Sequence, residues 1–194
     1  IQDGTSTGSD GLLAQEMLPR QRRRRLDLSG NVCTVFGHIW NTFGNFEIGA
    51  GVRLDDTTSE RTNLDTGLSG ENSETVVLGR GSLSWKSDDD RTLLYGTISQ
   101  GFEPADFGLA NFAGSSTLLG FDKEQATQFE LGYKGQLLDG RMQLSAAGFF
   151  IDYKDRQFEL QATDPAGGFV EGIVNVGDSS QLGFEADVTW LLAD

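Results

Sequence analysis

Side-chain polarity alternates with a period of two over stretches of a dozen residues, which commits the chain to long, two-faced strands. The clearest case runs from Glu124 to Leu137. Thr127, Phe129, Leu131, Tyr133, Gly135 and Leu137 fall on one parity, and Gln128, Glu130, Gly132, Lys134 and Gln136 on the other. Successive strand side chains point to opposite faces, so one face is apolar and its reverse polar. The tetrapeptide Leu138-Asp139-Gly140-Arg141 predicts a reversal, since Asp-Gly supplies the positive φ of a hairpin turn. The return strand sets Met142, Leu144 and Ala146 against Arg141, Gln143 and Ser145. A further strand sets Leu182, Phe184, Ala186, Val188, Trp190 and Leu192 against Gly183, Glu185, Asp187 and Thr189. Strands of this kind joined by short turns build large antiparallel sheets. The apolar face then meets either a second sheet or lipid.

Earlier segments follow the same rule. A strand is expected over Val32 to Trp40, turning through Asn41 to Asn45. Next, Phe46, Ile48, Ala50, Val52 and Leu54 oppose Glu47, Gly49, Gly51, Arg53 and Asp55. Residues 58–73 are polar and read as a loop. Glu74 to Lys86 and Arg91 to Phe102 return as strands around the acidic turn Ser87 to Asp90, and residues 103–123 read as the longest irregular stretch. Residues 1–31 show no sustained period and carry the run Arg22 to Arg25. They are expected to form an irregular loop on the extracellular side, with its arginines facing outer-leaflet phosphates or simply solvent. Residues 32–194 form the second unit.

Connection lengths carry their own information. In a meander, alternate connections lie at the same end of the sheet. One end therefore holds only tight turns, around 41–45, 87–90 and 138–140, and the other holds every long loop. Short turns at one end and long loops at the other characterise outer-membrane barrels, with the short ones periplasmic. The expected fold is all-β: an antiparallel up-and-down meander of about seven long strands, part of a large transmembrane β-barrel.

Composition narrows the function. Gly is abundant at 26 residues and Pro scarce at 3, which suits long strands. No apolar run approaches the roughly 18 residues of a membrane helix. A net charge of −14 excludes a general nucleic-acid binder, because phosphate neutralisation needs clustered cations. The single cysteine, Cys33, forms no internal disulfide and reads as an inert thiol. Ile1 to Asp10 lacks the basic start and apolar core of a secretory signal, which leaves either a cytoplasmic protein or an internal piece of a longer chain.

Several strings resemble the TonB-dependent outer-membrane receptors. Leu93 to Pro104, ending Gly101-Phe102-Glu103-Pro104, is similar to the family strand that closes in Gly-Phe-x-Pro. Glu124 with Phe129-Glu130-Leu131-Gly132 and Lys134 resembles the strand after it. Phe149 to Asp155, and Val174 to Asp178 through Gly183-Phe184-Glu185, resemble the next two. Phe36-Gly37-His38 and Gly49 to Arg53 match more weakly. The resemblance covers about residues 32–192. It implies a barrel of about 22 strands with a plugged lumen, in the outer membrane of a Gram-negative bacterium. The implied activity is energised uptake of a scarce, bulky ligand such as a ferric siderophore. Implied partners are outer-membrane lipid, lipopolysaccharide and the TonB complex, the last engaged through an N-terminal plug region. No plug, TonB box or closing strand is recognised, so the chain reads as a barrel fragment. Competing readings are a passive porin-like channel and a soluble β-sandwich that binds carbohydrate.

On this reading the polar parity lines the lumen: Glu47, Arg53, Asp55, Arg80, Lys86, Glu130, Lys134, Glu185 and Asp187. These groups either contact the plug or merely wet the wall, since exposed ion pairs contribute only about 0–1 kcal/mol. Ligand contact is expected in the long loop through Phe107, Phe112 and Phe121. His38, the sole histidine, reads as a wall residue, and Asp88 to Asp90 as a plain acidic turn without calcium-loop spacing. No metal site, cofactor or catalytic motif is found. Glu130 and Glu185 could be imagined as a glycosidase pair but are better placed on the lumen wall, so no enzyme is expected.

Overall fold

The computed structural model describes residues 26–112, 115–163 and 169–192. Eleven strands run through them: β1 (Leu26–Phe43), β2 (Phe46–Asn63), β3 (Ser69–Lys86), β4 (Thr92–Glu103), β5 (Asp106–Phe112), β6 (Ser115–Phe121), β7 (Glu124–Leu137), β8 (Met142–Lys154), β9 (Gln157–Thr163), β10 (Phe169–Asn175) and β11 (Ser179–Trp190). Seven of them form one sheet in the order β1-β2-β3-β4-β7-β8-β11, and every neighbouring pair is antiparallel. This is the long-stranded meander that the alternation predicts. The other four form a second sheet, β6-β5-β10-β9.

Cross-strand register assembles the apolar parity into one continuous band. Phe46 faces Trp85 and Leu54 faces Val77. Leu137 faces Met142 and Phe129 faces Phe150. Trp190 faces Met142 and Leu182 faces Phe150. In each of these strands the band is nine residues long, for example Phe46 to Leu54, within the roughly 9–11 residues with which a tilted strand crosses a bilayer. Phe43, Phe46 and Trp85 are successive partners beside the tight turns. They form the kind of aromatic row that borders such a band.

No layer of the described residues covers this face. Leu131 is 75 % exposed, Phe184 73 % and Val188 54 %. A soluble sandwich would bury these groups in a core, so that reading is corrected: the second sheet sits elsewhere, against the ends of β2 and β3. An uncovered apolar surface of this extent marks a membrane-facing wall. Among the described residues β1 pairs only with β2 and β11 only with β8. Lipid does not tolerate unpaired strand edges, so within a membrane both edges require further strands.

Three expectations about element limits are corrected. The first strand, Leu26–Phe43, already runs ahead of the expected Val32. The expected loop over 58–73 shrinks to residues 64–68, because β2 and β3 continue past the membrane band as a projecting hairpin. Polar side chains stand on both of its faces, and Thr58 meets Ser73 across the strands at 3.3 Å. Such a ladder has no apolar alternation to read. The stretch expected to be irregular, 103–123, contains β5 and β6. β9 and β10 occupy the stretch between β8 and β11.

The tight turns stand where the sequence puts them, at 44–45, 87–91 and 138–141. In the last, Leu138 (φ 52°) and Asp139 (φ 55°) are left-handed as well as Gly140 (φ 87°). A leucine in that region costs about 1 kcal/mol, which asparagine largely avoids. Leu138→Asn is therefore expected to stabilise the complete barrel by about that amount, read from urea unfolding in lipid vesicles. In the same assay Leu131→Arg, on the bare face, is expected to cost roughly 2–4 kcal/mol. Gln128→Arg, on the reverse face, should cost well under half of that.

Candidate functional site

Two regions lie away from the apolar band: the polar face of the main sheet, and the second sheet beyond its long-loop end. On the polar face, register again decides which side chains meet. Gly51 pairs with both His38 and Arg80, Thr97 with Glu130, Leu93 with Lys134, and Ser145 with both Lys134 and Asp187. Shallow hollows lie on this side. One of about 710 Å³ is lined by Phe36, His38, Trp40, Glu47, Arg53 and Arg80. Another of about 540 Å³ is lined by Tyr95, Glu130, Lys134, Glu185 and Asp187. The seven charged residues Glu47, Arg53, Arg80, Glu130, Lys134, Glu185 and Asp187 are thus brought onto one side, in two groups.

Part of the charge on this face is answered locally. Arg53 Nε donates to Asp55 at 2.6 Å, and Asp55 also accepts from Thr34 Oγ1 at 2.6 Å. Lys86 pairs with Asp90 at 2.8 Å. Gln128 donates to Glu130 at 3.1 Å, and Lys134 stands 5.8 Å over the Tyr95 ring. Tyr95 lies flat across Gly132, where a Cβ would collide with its ring. A glycine here lets the ring cover the strand backbone.

Sequence reasoning missed an aromatic ridge. Phe36, His38 and Trp40 share the polar side, with His38 and Trp40 stacked at 4.8 Å and with Gly49 and Gly51 opposite them. Both parities of β1 are rich in apolar residues, since Val35, Ile39 and Phe43 lie on the other. Only pairing with the clearly two-faced β2 tells which parity faces which way. Among the described residues no group of His, Cys, Asp or Glu is placed to hold a metal ion.

The second sheet is docked on the projecting hairpin. Arg61 Nε donates to both carboxylate oxygens of Asp106, at 3.0 and 2.9 Å. Glu74 accepts from the Ala105 backbone at 2.8 Å and stands 3.5 Å from Lys123 Nζ. Asn72 Nδ2 donates to Ala105 O at 3.0 Å. The Phe107 ring lies over Gly70, where a Cβ would come within 2.7 Å of it, and also borders Gly120. Of the three phenylalanines expected at a ligand, Phe107 is thus engaged in holding sheet to hairpin. Phe121 lies half-buried beside Gly108. The side chain of Phe112 lies outside the described residues, as does the run Arg22 to Arg25.

Burial pushes the Asp106 carboxyl up, but hydrogen bonds from Arg61 and from the Phe107 N–H outweigh it and hold the group below its ordinary value of 3.8. Where β8 ends, Lys154 Nζ donates to Asp178 at 2.7 Å, which raises the lysine above 10.5 and lowers the aspartate below 3.8. A depressed carboxylate stabilises above its unfolded pKa, and the contribution is lost as pH falls through the folded one. The raised lysine stabilises below its unfolded pKa and loses this as pH rises through its folded value. Both contributions are therefore present between 3.8 and 10.5. Pepsin cleavage within residues 104–123 and 155–178 of the complete receptor is expected to accelerate as pH drops below 3.8. Neutralising Asp106 as Asn should remove part of that dependence.

Comparison with known proteins follows the same outline. The family model described as TonB dependent receptor-like, beta-barrel matches residues 7–193. No curated protein matches the sequence. Among solved structures, the chain is similar to the ferric yersiniabactin uptake receptor FyuA of Yersinia pestis, at 22 % identity and TM-score 0.59, covering 87 % of this chain and 26 % of that one. It is similar to the siderophore receptor PiuA of Acinetobacter baumannii at 20 % identity and TM-score 0.62, covering 87 % and 24 %. It is also similar to the copper transporter OprC at 16 % identity and TM-score 0.70, covering 86 % and 27 %. The chain spans about a quarter of the length of each.

Proposed function

Since the chain belongs to the TonB-dependent receptor β-barrel family, we propose that it is part of an outer-membrane receptor that takes up a scarce, bulky ligand, a ferric siderophore. The observation that carries this reading is the single-layered wall, bare on its apolar face, with tight turns at one end and a raised second sheet at the other. FyuA and PiuA support the choice of ligand, both being described as receptors for siderophore or its ferric complex. The copper transporter keeps a metal without a siderophore as the second candidate.

Capturing a dilute ligand requires a small Kd, and among related complexes a small Kd comes mainly from slow dissociation. A site tight enough to capture is therefore too slow to release unaided, so release has to be driven. On this reading the TonB complex supplies that drive through a plug region outside this chain. The polar face, with Arg53, Arg80, Glu130, Lys134, Glu185 and Asp187, is the lumen wall along which the plug sits. Phe121 and Phe112 are the ligand contacts in the second sheet. Outer-leaflet phosphate is the partner proposed for the run Arg22 to Arg25.

The deciding experiment expresses the complete gene in an iron-starved strain that lacks other siderophore receptors. Growth on one ferric siderophore, lost when TonB is deleted, is the expected result. Uptake that persists without TonB would instead identify a passive channel, and uptake of copper alone would move the ligand assignment. Within the active receptor, Phe121→Ala is expected to weaken ligand binding about tenfold, the equivalent of about 1.4 kcal/mol for one aromatic contact, with insertion into the membrane unchanged.

A further inference from the structure

The second sheet is built from two separate excursions of the chain. β5 and β6 arise between β4 and β7, whereas β9 and β10 arise between β8 and β11. Pairing of β5 with β10 at Asn111 and Glu171 joins them into one ladder. Below the ladder, two amide side chains stitch the strand ends together. Gln157 Nε2 donates to Pro104 O at 3.1 Å and to Asp122 O at 3.0 Å. Its register partner Asn175 donates to Asp122 O at 2.9 Å and accepts from Asp122 N at 2.7 Å. Loops that could have moved separately are therefore tied to each other by backbone hydrogen bonds and by uncharged groups.

Attachment of this sheet to the β2–β3 hairpin has a different chemistry. It rests on the Arg61–Asp106 pair, on Glu74 with Lys123 and the Ala105 amide, on Asn72, and on one ring, Phe107, lying across Gly70. The Arg61 and Lys123 side chains are 24 % and 39 % exposed, so water reaches the cation of each pair. Between the excursions the ties are one backbone pair and neutral amides, whereas the joint to the hairpin depends on charge, which reversing one residue turns from attraction to repulsion. We propose that β5, β6, β9 and β10 form a one-piece lid over the long-loop end of the wall, latched to the β2–β3 hairpin by Arg61–Asp106 and Glu74–Lys123. Opening this latch swings both excursions together, because the ladder that joins them stays intact. The device goes beyond the choice of ligand and does not depend on what is carried.

The test uses the complete receptor in detergent with Cys33→Ser, and two pairs of spin labels read by pulsed electron paramagnetic resonance. One pair, at Thr66 and Glu159, spans hairpin and lid. The other, at Thr117 and Glu159, lies within the lid but on different excursions. The unaltered latch is expected to give one narrow distance for each pair. Arg61→Glu should add a second, longer-distance population for the Thr66–Glu159 pair only, and the exchange of Arg61→Asp with Asp106→Arg should remove it. If Arg61→Glu does not accumulate, Asp106→Asn gives the same readout without reversing a charge. An unchanged Thr66–Glu159 distance in the variant that folds overturns the latch. Broadening of the Thr117–Glu159 distance in step with it overturns the one-piece lid.

Discussion

A backbone surrounded by hydrocarbon must satisfy every N–H and C=O from within the protein, and the rest of this structure depends on that requirement. The seven-stranded ladder satisfies it strand by strand, leaving only the outer edges of β1 and β11 to be matched. Once the backbone is committed to the ladder, side chains have two destinations. The parity that includes Ile48, Leu131, Phe184 and Val188 faces outward bare, and the parity that includes Glu130, Lys134, Glu185 and Asp187 faces the hollowed side. A one-residue slip would exchange the two sets and turn charges into lipid. Register is accordingly fixed more firmly within the band than beyond it.

Beyond the band, the same chain obeys different rules. β2 and β3 continue as strands, but their side chains are Thr, Ser, Glu and Asn on both faces. One parity there packs beneath the second sheet and the other is open to water, and specific polar contacts replace hydrophobic alternation as the organising force. Asn63 shows the change of regime: it is almost fully buried, and its Oδ1 accepts from the backbone amides of Asp65 and Thr66 to shape the hairpin tip. At the opposite end each turn needs only a few residues, because there is nothing there to support.

The polar face and the second sheet divide the work that the family implies. On the wall, some charges are answered by near neighbours, as Arg53 is by Asp55. At the far end, Phe107, which composition alone would place on a ligand, fills the joint between two structural units instead. Aromatic residues in long loops are ambiguous in this way. A ring that grips a ligand and a ring that packs over a glycine look alike until the partner strand is known.

Much was legible from residues alone wherever lipid imposes a period of two. The strands from Phe46, Glu124, Met142 and Ser179, the positions of all three tight turns and the identity of the bare face follow from alternation and turn chemistry, because a misplaced charge in hydrocarbon is costly. Beyond the membrane no such penalty writes a pattern into the sequence. The upper halves of β2 and β3 and the whole of the second sheet were therefore decided only in three dimensions. There, pairing between segments far apart in the chain, such as Arg61 with Asp106 and Gln157 with Pro104, supplies the stabilisation. The parity of β1 belongs with them: both its faces are apolar, and only hydrogen bonding to β2 turned Phe36, His38 and Trp40 toward the charged side.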